Sequence, residues 1–144
     1  MLETKNPDYK SRVIKYLARQ HFMKLLGFNL QQIEVGKTSG RLILVPEHRQ
    51  QTGLVHGGVT STLADIVMGF AAYTMVPATH HVVTAELRVS YLHPGKGPEL
   101  EAIGWVLKAG EKMNFCESEI WSLQPQGKLL IAKASSVMAT IPPS

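Results

Sequence analysis

The sequence predicts an α+β domain in which one antiparallel sheet curls around a single long central helix, with an additional N-terminal helix. Three observations predict it. Val59 to Val76 is apolar except at Thr60, Ser61, Thr62, Asp65 and Thr74, so as a helix it lacks a polar face and must be covered on several sides. Everything beyond Pro77 reads as strands divided by short turns. No linker, repeat or low-complexity segment interrupts the 144 residues, so the span 1–144 is read as one domain with a sizeable core. A sheet wrapped around the helix buries it.

The N-terminal segment, 1–27, is read as an amphipathic helix over residues 8–26 that Gly27 ends. Ile14, Leu17, Ala18, His21 and Leu25 share one side of it, and Arg12, Lys15 and Arg19 another. Residues 28–35 and 41–45 follow as strands around a turn containing Gly36, Ser39 and Gly40. A polar loop, 46–55, leads to the central helix, 57–75, which Pro77 ends. Residues 82–91 form a strand, broken by His93-Pro94-Gly95-Lys96-Gly97-Pro98. Strands 100–107, 113–123 and 129–141, with turns at 108–111 and 124–127, make an antiparallel meander.

Composition narrows the function classes. A membrane span needs about 20 nearly uninterrupted apolar residues, which the central stretch does not supply, and the charged first thirty residues do not read as a secretory signal. A single cysteine, Cys116, precludes an intrachain disulfide and suits a reducing cytoplasm; it is read as a small packed hydrophobe. The net charge of +4 is concentrated at the front, where residues 1–24 carry six basic and two acidic side chains. That excess reads as a solvated helix face, with attraction of a polyanion such as coenzyme A as the alternative. No aromatic-interleaved basic surface points to nucleic acid.

The chemistry concentrates in Gly53-Leu54-Val55-His56-Gly57-Gly58-Val59-Thr60-Ser61-Thr62-Leu63-Ala64-Asp65. Glycines at a helix start let a ligand approach the first backbone N–H groups, which have no intrahelical acceptor. Those donors and the positive end of the helix dipole suit a developing oxyanion. A lone carboxylate in an apolar helix is unfavourable unless a partner satisfies it. The pair reads as an acyl-transfer site.

Together with the element order and the strand ending Val89-Ser90-Tyr91-Leu92-His93-Pro94, the His-Gly-Gly-x6-Asp run at His56–Asp65 resembles the hotdog-fold acyl-CoA thioesterases, in the phenylacetyl-CoA thioesterase-like branch. The resemblance covers nearly the whole chain. It implies hydrolysis of an acyl- or aryl-CoA thioester to acid and CoA, with the Gly57 N–H polarising the carbonyl. It implies that Asp65 activates water or attacks directly to form an anhydride, and that the Thr84 hydroxyl orients the water. Gln50 stands where the family commonly has asparagine, with the same amide on one more methylene. His56, Gly58, Thr62 and Gly69 complete the candidate substrate contacts. The resemblance also implies paired subunits, often dimers of dimers. Since Gly57 and Asp65 are eight residues apart on one helix, about 12 Å along its axis, a homodimer with shared sites is expected.

Each candidate has a structural alternative. Asp65 is either catalytic or a buried acid bonded to Thr62 or Ser61, although Gly69, one turn on, leaves space beside it. Gly57 and Gly58 either serve an oxyanion or only ease the tight turn. His56 is expected to hydrogen-bond and hold the loop. Glu86, two residues after Thr84, is the reserve acid on the same strand face. His80 and His81 point to opposite faces, and no metal-ligand spacing is present, so neither metal nor cofactor is expected. Met68, Phe70, Tyr73 and Met75 line an acyl slot or belong to the core. The rival functions are an acyl-CoA-binding protein without turnover and a hotdog enoyl hydratase or dehydratase.

Overall fold

A computed structural model describes all residues from Met1 to Ser144. In order, the elements are α1 (Tyr9–Leu17), α2 (His21–Leu26), β1 (Asn29–Glu34), β2 (Lys37–Ile43), a short 3-10 turn (Pro46–His48), α3 (Gly57–Tyr73), β3 (His81–Tyr91), β4 (Glu99–Ala109), β5 (Met113–Gln124) and β6 (Gly127–Ile141). The strands form one antiparallel sheet in the order β1-β2-β4-β5-β6-β3. The predicted meander is β4-β5-β6. β3 joins it beside β6 and has no neighbour on its other edge.

The sheet curls around α3 as the apolar run requires. Leu63, Ala64, Val67, Met68 and Ala71 are wholly buried and meet Leu42, Leu100, Ala102, Ile120 and Met138 from the strands. At Gly104 of β4 the helix backbone lies directly against the sheet. A Cβ there would stand 2.6 Å from the carbonyl carbon of Val67 and 2.8 Å from the Met68 nitrogen. Both contacts are with backbone, so Gly104→Ala must push the helix off the sheet. Destabilisation by about 1–3 kcal/mol is expected for such overpacking, measured as a lower midpoint of chemical unfolding; an unchanged midpoint would contradict this packing.

One stripe of α3 escapes the sheet. Ser61, Thr62, Asp65, Ile66, Gly69 and Tyr73 remain partly exposed. The predicted 57–75 helix is shorter, ending at Tyr73, where the bonding tightens: the Thr74 N–H is shared between Phe70 O and Ala71 O at 3.2 and 3.3 Å, and the Met75 N–H reaches Ala72 O at 2.9 Å.

The N-terminal segment differs from the expected single helix. It is two helices, α1 and α2, divided around Gln20. No proline or glycine marks the break. Val13 (0% exposed) and Met23 (5%) are the buried residues, whereas Ile14 (52%) and Leu25 (85%) are exposed. The break turns α2 so that Met23 reaches the core, and packing overrides the periodicity of the continuous helix. Arg12 is not part of a solvated face either. Its guanidinium donates to Pro77 O at 2.8 Å and to His80 O, and lies over the Tyr16 and Tyr73 rings at 5.3 and 5.1 Å.

The first hairpin is longer than predicted. β2 begins at Lys37, so Ser39 and Gly40 are strand residues, and the turn is Val35-Gly36 with Gly36 at φ +69°. Gly40 serves close packing instead: a Cβ there would lie 2.3 Å from Asn29 O.

Candidate functional site

Asp65 lies midway along α3, on the partly exposed stripe. The Thr84 hydroxyl of β3 donates to its Oδ1 at 2.6 Å. Ser61 and Thr62 do not satisfy the acid, because both hydroxyls donate to Gly58 O, at 3.1 and 2.7 Å. A cavity of about 450 Å³ opens on this pair, with Gln20 and, from α2, Phe22 and Met23 on one side and Phe70 and Tyr73 on another. Thr62 and Gly69 also line it, and a Cβ at Gly69 would meet nothing within 4 Å. Phe70 and Tyr73 therefore belong to this wall, whereas Met68 and Met75 lie buried outside it.

The start of α3 builds a second, separate feature. His56 is extended (φ −65°, ψ 134°) and caps the helix, its Nδ1 accepting the Gly58 N–H at 2.9 Å. Val59 and Thr60 both donate to His56 O, at 2.9 and 3.3 Å. Of the first four donors, only the Gly57 N–H finds no acceptor within the chain. Gly57, Thr60, Gln50 and Tyr91 line a cavity of about 320 Å³. Gln50 is held there by its backbone, which accepts from Gly53 and donates to Leu54 O, each at 2.9 Å.

Asp65, Thr84, Thr62 and Gly69 thus share one cavity, and Gly57 and Gln50 another. One chain brings the carboxylate and hydroxyl together but does not bring them to the free N–H. Glu86 joins neither group. A bulge between Thr84 and Glu86 pairs Thr84 with the buried Met138 but Glu86 with Val137. The extra residue reverses which face Glu86 uses, so it points away from Asp65. The Cys116 thiol is 1% exposed and is pushed up to about 12 by burial, against a lowering hydrogen bond with Ser136. It stays protonated at neutral pH and does not supply a nucleophile.

The contacts of two supporting residues escaped the sequence reading. His48 is 6% exposed; its Nδ1 accepts the Val45 N–H at 3.1 Å and its Nε2 lies 2.7 Å from Leu26 O. With Nδ1 accepting, the ring proton sits on Nε2 and donates to Leu26 O, and His48 O accepts from His56 N at 2.9 Å. His48 thereby ties the end of α2 to the loop that carries Gln50. Tyr91, the second, reaches from the end of β3 to Gly57 O at 2.9 Å. Both contacts join residues distant in sequence, and no local spacing signals them.

The family model for the thioesterase superfamily matches residues 52–128, just over half of the chain. A Caenorhabditis elegans relative provisionally named an esterase, F42H10.6, is 32% identical over 112 residues, 77% of this chain. The chain spans 64% of that relative's length. Human acyl-coenzyme A thioesterase 13 is 27% identical over 121 residues, covering 82% of this chain and 85% of its own. Among solved structures, a thioesterase family protein from Silicibacter pomeroyi superposes with a TM-score of 0.91 at 24% identity, over 93% of this chain and 98% of that one. That likeness establishes the hotdog fold, a sheet wrapped around one helix. With the family match spanning the glycine turn, Asp65 and Thr84 together, the chain belongs to the thioesterase superfamily.

Proposed function

We propose that this chain hydrolyses acyl-CoA thioesters at sites shared between two subunits. Asp65 and Thr84 come from one subunit, Gly57 and Gln50 from its partner. The observation that carries this reading is the division of the site: the acid and the free N–H line different cavities of one chain. A two-fold pairing supplies both halves twice, because an isologous interface places each surface opposite its counterpart. The free edge of β3 supports such pairing. It exposes Val83 (50%), Leu87 (37%) and Tyr91 (57%) beside unpaired backbone groups.

The thioester carbonyl oxygen points at the partner's Gly57 N–H, which draws charge onto it. Thr84 holds Oδ1 of Asp65, leaving Oδ2 to take a proton from water as the water oxygen bonds to the carbonyl carbon. Collapse of the oxyanion breaks the C–S bond, and the departing thiolate receives the proton. The products are the free acid and CoA. The Gln50 amide holds the water or the carbonyl, and the cavity beside Phe70 and Tyr73 takes the acyl group. His56, Gly58, Thr62 and Gly69 shape the substrate's path.

Assembly into a dimer of dimers is supported by the outward sheet face, where Leu107, Met113, Phe115 and Ile141 are 40–55% exposed. The unpaired Cys116 suits the cytoplasm, and no helix is long and apolar enough to cross a membrane. Purified protein incubated with aryl- and aliphatic acyl-CoAs of graded length is expected to release thiol, detected with a chromogenic thiol reagent. Binding without thiol release would favour the acyl-CoA-binding alternative. Loss of enoyl absorbance without thiol release would favour a hydratase.

A further inference from the structure

Gly57 is a demanding place for a catalytic donor, because glycine holds its own peptide direction poorly. The peptide that follows it is fixed from both sides. Its oxygen, Gly57 O, accepts the Tyr91 hydroxyl at 2.9 Å, and its nitrogen, Gly58 N–H, donates to His56 Nδ1 at 2.9 Å. The Tyr91 ring also packs on the open face of the glycine, 3.4–3.5 Å from where a Cβ would stand. The Gly57 N–H itself belongs to the preceding peptide, whose oxygen, His56 O, accepts from Val59 and Thr60. With the peptides on both sides of the glycine held and the ring blocking one face, this N–H keeps one direction, and it is the first-turn donor left free.

Tyr91 also stands on a telling strand. Met138 and Ala132 of β6 pair with Thr84 and Tyr91 and are both buried, so the two residues use the same, helix-facing side of β3 despite the bulge between them. One strand therefore reaches the acid through Thr84 and the donor turn through Tyr91, seven residues apart. That strand is also the edge left without a neighbour.

We infer that Tyr91 is a positioning residue for thioester hydrolysis: its hydroxyl, with the His56 cap, aims the Gly57 N–H at the oxyanion, and each β3 thereby braces the acid of one shared site and the donor of the other. The inference rests on the proposed role of Gly57. Tyr91 does not touch the substrate's reacting atoms in this account and acts through the glycine.

The test is a double-mutant cycle on the folded, assembled protein. Tyr91→Phe keeps the ring against Gly57 and removes only the hydroxyl. The expected result is a kcat lowered about ten- to a hundredfold, the scale on which a misplacement of about 1 Å acts, with KM unchanged. Gly57→Pro deletes the N–H itself. Adding Tyr91→Phe to Gly57→Pro should then lower kcat no further, because groups acting as a unit are not additive. A merely structural tyrosine would lower the unfolding midpoint and leave kcat per folded molecule unchanged, and that result overturns the inference. Independent, multiplying effects in the double variant overturn it as well, by showing that Tyr91 does not act through Gly57. Full activity in Gly57→Pro would instead remove the donor reading on which the inference stands, so the two failures are distinguishable.

Discussion

Asp65→Asn is expected to lower kcat for acyl-CoA hydrolysis by about 10²–10⁴, the usual contribution of a positioned acid–base group. The substitution is nearly isosteric, and Thr84 still finds an oxygen to donate to, so the hydrogen bond of 2.6 Å has a successor. The basicity that removes the proton from water in the proposed reaction is lost. Because Asp65 is partly exposed and its neighbours Ser61 and Thr62 bond to Gly58 O instead of to it, the fold should be little affected. Thiol release at saturating substrate, with KM and circular dichroism measured alongside, checks this. A folded variant with near-normal kcat would remove Asp65 from the chemistry.

Gly57→Pro is the matching loss on the other half of the proposed site. Deleting one oxyanion donor typically lowers kcat by about 10²–10³. The backbone accepts proline here: position 57 opens the helix, where the missing N–H breaks no intrahelical bond. His56 at ψ 134° is already in the extended region that a residue before proline prefers. Added atoms meet the Tyr91 ring at about ordinary contact distance, 3.4–3.5 Å from the Cβ position. Gly57→Ala makes the same contact but keeps the N–H, so it separates crowding from loss of the donor. Activity should survive in the alanine variant and fall in the proline variant. Equal activity in the two, both well folded, would show that the N–H is not used.

These effects concern residues that the sequence exposed well, for a physical reason. A carboxylate amid apolar residues and a pair of glycines before a helix are local violations of ordinary composition, and local violations are visible without coordinates. Asp65, Gly57 and His56 stand out in that way. The architecture was legible on similar grounds, since an apolar helix and a strand meander leave few arrangements that bury both. What failed depended on packing between distant segments. The break between α1 and α2 carries no proline or glycine and follows from seating Met23 in the core. Gly40 looks like a turn residue and is instead a strand residue pressed against Asn29 O. Strict alternation from Thr84 puts Glu86 on the same face, and one bulged residue reverses it. His48 and Tyr91 act through contacts 22 and 34 residues away in the chain, where no periodicity reaches.

Whether acid and donor meet across the interface is decided by subunit mixing. Gly57→Pro retains Asp65, and Asp65→Asn retains Gly57, so each inactive parent carries what the other lacks. After reversible dissociation and reassociation of an equimolar mixture, random pairing makes half of the dimers mixed. In each mixed dimer one site has both groups intact and the other has neither. Thiol release should return to about a quarter of the wild-type rate per subunit, rising from the near-zero rates of the two parents. If mixed dimers are shown to be present, for example by native mass spectrometry of differently tagged subunits, and activity stays at the parental level, acid and donor do not meet across the interface and the shared-site account is wrong.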